Sequence, residues 1–142
     1  MKITVGGSMT FAKEQIEIKK KLEKLGHEVL LTDDIEAYAS DNQIKHSFEE
    51  ELALCLKYDV VRNFFNKIAQ SDAYLVCNHT KNRIVGYLGA SVLMEIGLAY
   101  YLNKKVFLMS EIDRNQKYAL ELAVINPIII GNNFDRIFKV KS

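Results

Sequence analysis

Short apolar runs alternate along the chain with longer stretches in which apolar residues recur every three or four positions. Ile3-Thr4-Val5 reads as a first strand, ended by Gly6-Gly7-Ser8. From Phe11 to Leu25, the residues Phe11, Ile18, Leu22 and Leu25 fall on one helical stripe that Gly26 closes, with Ile16 off the stripe. Val29-Leu30-Leu31 is a second strand, and the polar stretch from Asp33 to Lys45 reads as a loop or irregular lid. Phe48 to Ile68 carries a long helical pattern with a candidate break near Tyr58-Asp59. Ala73 to Cys77 is a third strand, followed by a polar loop from Asn78 to Val85, a glycine-punctuated turn and a helix from Gly89 to Asn103. Val106 to Met109 is a fourth strand and Gln116 to Val124 a short helix. Pro127 to Ile130 is a fifth strand, with proline at its first residue, where no ladder hydrogen bond is lost.

Strands that alternate with helices predict a parallel sheet covered on both faces, and uninterrupted apolar strands suit burial on both sides. The expected fold is α/β: a doubly wound, flavodoxin-like parallel five-stranded sheet with helices on both faces, forming one domain over residues 1–142. In such folds a ligand lies beyond the carboxyl ends of the strands, where the strand order reverses. Three segments should meet there: Gly6-Gly7-Ser8, Thr32-Asp33-Asp34, and Asn78 to Ser91.

At 142 residues, 49% hydrophobic and 26% charged, the chain has the composition of an ordinary globular domain. A formal net charge of +1 gives no electrostatic case for nucleic acid or an anionic membrane as partner. Lys19-Lys20-Lys21 belongs to a solvated helix face. Cys55 and Cys77 sit in apolar surroundings outside any CxxC motif, and read as buried free thiols of a reducing compartment. No leader pattern and no apolar stretch of membrane-spanning length is visible, so a cytoplasmic location is the expectation. His27, His46 and His79 lack metal-ligand spacing, and neither a metal nor a cofactor is expected.

The densest candidate chemistry lies in Gly86 to Tyr100. A helix start offers free backbone amides and a positive dipole end to an anion. Glu95 follows Ser91 by four residues, so both lie on one helix face. A hydroxyl, amides and a carboxylate converging on one cleft suit a sugar or sugar-phosphate ligand. Glu95 is the candidate catalytic residue, and Gly6, Gly7, Ser8, Asp33, Asn78, His79, Tyr87, Gly89 and Ser91 are the candidate substrate-binding residues. Some have simpler readings as well: Ser91 as a helix cap, Gly6-Gly7 as a plain turn, and Tyr87 packed under the loop rather than stacked on a base. Asp72 reads as a cap or turn residue outside the site.

Three segments together resemble the nucleoside 2-deoxyribosyltransferase superfamily, which includes the 2′-deoxynucleoside 5′-phosphate N-hydrolases. They are the first-strand turn Val5-Gly6-Gly7-Ser8, the third-strand start Ser71-Asp72-Ala73-Tyr74-Leu75-Val76, and the run from Glu95-Ile96-Gly97 through Ala99 and Leu102 to Lys104-Lys105-Val106. Tyr87-Leu88-Gly89 and Asn126-Pro127-Ile128 look most like a small prokaryotic branch of it. The resemblance implies that Glu95 attacks C1′ of a deoxyribosyl group, expels the base and forms a glycosyl ester, as in retaining glycosidases. It also implies that Gly97 lets its helix approach the sheet, that Ser8, Ser91 and the amides near Gly89 hold a 5′-phosphate or 5′-hydroxyl, and that the protein is a homodimer or higher homo-oligomer. Val60 to Phe65 is the candidate interface segment. Two positions depart from the family pattern: its helper acids fall near Phe64 and at Gly89 here. Asp33, Asp34 and His79 are the candidate substitutes as proton donors. A non-catalytic nucleotide-binding protein on the same scaffold is the alternative function, and a flavodoxin-type electron carrier a third.

Overall fold

The structure, a computed structural model, describes residues 1–40 and 46–139. Five strands form one sheet: β1 (Lys2–Gly7), β2 (Glu28–Leu30), β3 (Ala73–Cys77), β4 (Lys105–Leu108) and β5 (Ile128–Ile129). They lie in the order β2-β1-β3-β4-β5, and every pairing is parallel. The chain winds outward from β1 to β2 and then back across to β3, β4 and β5. The reversal therefore falls between β1 and β3, which pair from Ile3 with Ala73 to Gly7 with Cys77. This is the doubly wound flavodoxin-like order expected from the alternation of patterns.

The two faces of the sheet carry separate cores. Ile3, Val5, Leu75 and Phe107 pack against Phe11, Ile18 and Leu22, where helix α1 (Ala12–Lys24) covers one face. Tyr74, Val76, Val106 and Leu108 pack against residues of α4 (Val60–Gln70), α5 (Ala90–Tyr101) and α6 (Ala119–Ile125) on the other. Strand β3 is buried throughout, and its alternation decides which side chains meet which helices. Ala73, Leu75 and Cys77 face α1, while Tyr74 and Val76 face α4 and α5. Asp72 accepts the Lys2 amide at 2.8 Å and ties the start of β1 to β3, the turn role its position suggested.

The structure revises several local expectations. A short helix, α2 (Ile35–Ser40), stands inside the stretch read as loop or lid, anchored by buried Ile35; positions 41–45 of that stretch lie outside the described residues. The long helical pattern does break at the expected place, into α3 (Phe48–Tyr58) and α4, with Asp59 between them in the left-handed region at φ 46°. Leu25 is not part of the buried stripe: it caps the end of α1 and is 39% exposed. Gly97 is exposed on α5 and a Cβ there would meet nothing within 4 Å, so it has no part in bringing the helix close to the sheet. Among the described residues, no helix is long and apolar enough to cross a membrane.

Candidate active site

A cleft of about 450 Å³ opens beyond the carboxyl ends of β1 and β3. Its floor is made by Gly6, Gly7 and Ser8 from β1 and the turn after it, and one wall by Gly89 to Val92, Met94 and Glu95 from α5. The opposite wall comes from α3 and α4 through Leu54, Cys55, Tyr58, Val61, Phe64 and Phe65. Thr32, Asp34 and Tyr38 close one end.

Glu95 is held from below. The Tyr74 hydroxyl donates to Glu95 Oε1 at 2.6 Å. Tyr74 is fully buried, with its ring edge-on to Phe64 at a centroid distance of 6.1 Å. Gly6 makes room for this pair: a Cβ there would stand 2.5 Å from the Tyr74 hydroxyl oxygen and 3.1 Å from Phe64 Cζ. Gly7 is needed in the same way, since at φ 139° its Cβ would lie 2.5 Å from the Cys77 carbonyl oxygen. The two glycines thus set how closely β1 approaches β3 beneath the carboxylate, a firmer role than a plain turn.

Burial pushes the Glu95 carboxyl up from the ordinary 4.5 to about 7, against the Tyr74 hydrogen bond, which pulls it down. Tyr74 is held well above 10 by burial first, then by the neighbouring carboxylate. Near neutral pH, Glu95 is therefore shared between its acid and carboxylate forms, while Tyr74 stays a hydrogen-bond donor. A half-desolvated carboxylate at the wall of a cleft is a competent nucleophile or proton carrier. The thiol of Cys77, pushed up to about 12 by burial, is inert by comparison.

At the other end of the α5 wall the groups are donors. No side chain caps α5, so the amides of its first turn have no intrahelical partner. Ser8 Oγ accepts the Thr10 amide at 3.3 Å and Lys81 Nζ at 2.9 Å. The Lys81 ammonium also lies 5.0 Å above the Tyr87 ring.

Of the sequence-predicted residues, Gly6, Gly7, Ser8, Tyr87, Gly89, Ser91 and Glu95 line the cleft. Asp33, Asn78 and His79 do not. Asp33 is exposed and pairs with Lys67 of α4, which also donates to the Leu31 carbonyl oxygen at 2.7 Å. Asn78 is buried; its side chain donates to the Ser110 carbonyl oxygen at 2.8 Å and accepts the Ser110 amide at 2.9 Å. His79 stands edge-on to Phe11 at 5.4 Å, toward the α1 side of the sheet. Among the three substitute acids, only Asp34 borders the cleft. A Cβ at Gly89 would meet only the Tyr87 ring, at 3.6 Å, so space for a side chain exists there. Phe64 fills the other helper position with an apolar edge.

Sequence reasoning passed over Tyr74 and Lys81. The signal for Tyr74 was present: it shares a sheet face with Val76, and that face must meet the helix carrying Glu95. Lys81 carried no such signal, because a turn of left-handed residues positions it. Among the described residues, no group of three or more His, Cys, Asp or Glu could hold a metal ion.

No family model matches this chain, and no curated protein matches it. Several solved structures are similar to it, two of them as follows. One is a 2-deoxyribosyltransferase from Bacillus psychrosaccharolyticus, at 24% identity over 76% of this chain and 71% of that one, with a TM-score of 0.46. The other is the Clostridium botulinum CMP N-glycosidase BcmB, at 17% identity over 97% of this chain and 94% of that one, with a TM-score of 0.49.

Proposed function

We propose that this protein cleaves or transfers the N-glycosidic bond of a nucleoside or nucleoside 5′-monophosphate, with Glu95 as the nucleophile. The observation that carries the reading is the half-desolvated Glu95 carboxylate on the cleft wall, oriented by Tyr74 at 2.6 Å, within the Glu95-Ile96-Gly97 motif that resembles the nucleoside 2-deoxyribosyltransferase superfamily. In the reaction, a Glu95 oxygen bonds to C1′ while the C1′–N bond breaks and its electron pair leaves with the base. The departing base takes up a proton, for which Asp34 is the candidate donor because it borders the cleft. The glycosyl ester is then resolved by water or by a second base: the attacking O or N bonds to C1′ as the bond to Glu95 breaks, its proton returns to the carboxylate left by the donor, and Glu95 leaves as a carboxylate. Tyr74 keeps its proton throughout and steadies the carboxylate as leaving group.

A second reading, a nucleotide-binding protein without turnover, is favoured by Phe64 and Gly89 standing where the family pattern has acids. A chromatographic base-release assay separates the two. Deoxynucleosides and their 5′-monophosphates would be presented with and without an added free base, beside a Glu95→Ala control. Release or exchange that disappears in Glu95→Ala supports the glycosidic reading; silence across the panel from folded protein supports the binding reading. We further propose a homodimer or higher homo-oligomer, since Tyr58, Val61 and Met94 at the cleft rim are each about half exposed and apolar. Sedimentation showing only monomer at working concentration would remove that part of the proposal.

A further inference from the structure

The donor end of the cleft has a chemistry of its own, set by Lys81. The geometry points to Lys81 as the residue that selects a phosphate monoester, so that the substrate is a nucleoside 5′-monophosphate rather than a nucleoside. This rests on the glycosidic reading for the word substrate, but the anion assignment stands on separate observations.

First, Lys81 is fixed in place. Asn82 and Arg83 both adopt left-handed conformations, at φ 51° and 63°, and form a two-residue turn closed by Lys81 and Ile84. The Lys81 amide donates to the Ile84 carbonyl oxygen at 3.1 Å and the Ile84 amide to the Lys81 carbonyl oxygen at 2.9 Å. The loop around this turn is clamped by Asn78 on Ser110 and by the Tyr87 amide donating to the His79 carbonyl oxygen at 3.2 Å. Gly86, at φ 63°, sits where a Cβ would strike the Glu111 carbonyl, so this loop lies directly on the segment after β4.

Second, the ammonium has no counter-charge among the described residues. Among the described residues Lys81 forms no ion pair; its neighbours are the Ser8 hydroxyl and the face of Tyr87. Third, everything at this end donates. Ser8 Oγ already accepts two hydrogen bonds, from the Thr10 amide and from Lys81, which leaves its own O–H to be given away. Lys81 has two further N–H groups beyond the one directed at Ser8, and the uncapped α5 start adds backbone amides and a positive dipole end. A hydroxyl would use one of these donors and leave the ammonium uncompensated. A phosphate monoester, with three acceptor oxygens and up to two negative charges, satisfies Lys81, Ser8 and the α5 amides together.

The test is calorimetric titration of the Glu95→Gln protein, in which no turnover consumes the ligand. The ligands are a deoxynucleoside, its 5′-monophosphate, 2-deoxyribose 5-phosphate and inorganic phosphate. The expected result is that the monophosphate binds at least about tenfold tighter than the nucleoside. Lys81→Gln should then weaken the monophosphate by about 10- to 100-fold, the range for one charge-assisted hydrogen bond, and leave the nucleoside within about twofold. Lys81→Arg should recover part of the loss, and raised salt should weaken the monophosphate alone. The two smaller phosphates separate the sources: competition by deoxyribose 5-phosphate places the ester on the sugar, whereas inorganic phosphate competing as well as the nucleotide would mark a free-anion site and overturn the substrate assignment. Equal affinity of folded Lys81→Gln and its parent for the monophosphate would also overturn it. Lys81-dependent nucleotide binding without base release would uphold the anion assignment while the glycosidic reading fails. Base release from nucleosides as fast as from monophosphates, indifferent to Lys81→Gln, would do the reverse.

Discussion

At the scale of single residues, the proposed chemistry rests on the pair Glu95 and Tyr74. Tyr74 donates to the carboxylate, so it favours the charged form and lowers the Glu95 pKa from where burial alone would put it. Tyr74→Phe removes that donor and should move the acid limb of the activity profile to higher pH, with turnover near neutrality reduced about tenfold or more. Rates measured across pH 5 to 9 check this. A profile unchanged from the parent would mean that Tyr74 is only packing. The same pair shows what the sequence conveys about a site. Glu95 was legible because a glycine-marked helix start and an unusual motif surround it. Tyr74 was hidden in an apolar strand, where its hydroxyl gives no periodic signal, although strand alternation placed it on the correct face. Asp33 and His79 lie on loops that sequence could place near the strand ends but not orient: Asp33 pairs with Lys67 and His79 stands against Phe11, and neither lines the cleft.

At the scale of elements, strands and the longer helices were readable because burial on two faces leaves uninterrupted apolar runs, as in Ala73 to Cys77. Helix α2 was not, since six residues with one buried apolar side chain give no period to detect. The loop from β3 to α5 owes its shape to pairwise hydrogen bonds rather than to any pattern. Asn78 is its keystone: removing the buried side chain leaves the half-buried Ser110 amide and carbonyl without these partners. Asn78→Ala should cost about 1–3 kcal/mol of stability and loosen the segment that presents Lys81 and Tyr87. Denaturant unfolding reads the first effect and nucleotide titration the second. An unchanged unfolding midpoint would show that the clamp contributes nothing.

At the scale of the whole molecule, the cleft is a place where the fold gives up stability to bury a carboxyl group. Glu95 has its pKa raised in the folded state, from 4.5 to about 7, so the folded protein holds the proton more tightly than the unfolded chain. Its contribution to stability is thus fully present below pH 4.5, declines as pH rises, and is lost above about pH 7. Glu95→Gln, which cannot ionise, should therefore be more stable than the parent at pH 8, by up to about 3 kcal/mol, with the difference shrinking toward pH 5. Thermal unfolding at both pH values checks the sign. A variant less stable than the parent at pH 8 would contradict the desolvation of Glu95.

The most direct test of Glu95 as nucleophile is to trap the glycosyl ester. A 2′-fluoro-2′-deoxynucleoside 5′-monophosphate slows both steps by destabilising oxocarbenium-like charge, and intact-mass analysis followed by peptide mapping locates any adduct. The expected result is one fluorodeoxyribosyl phosphate ester on Glu95, formed with release of the base and absent from Glu95→Gln. Base release with no adduct, or with an adduct on another residue, would contradict the assignment of Glu95 as the nucleophile.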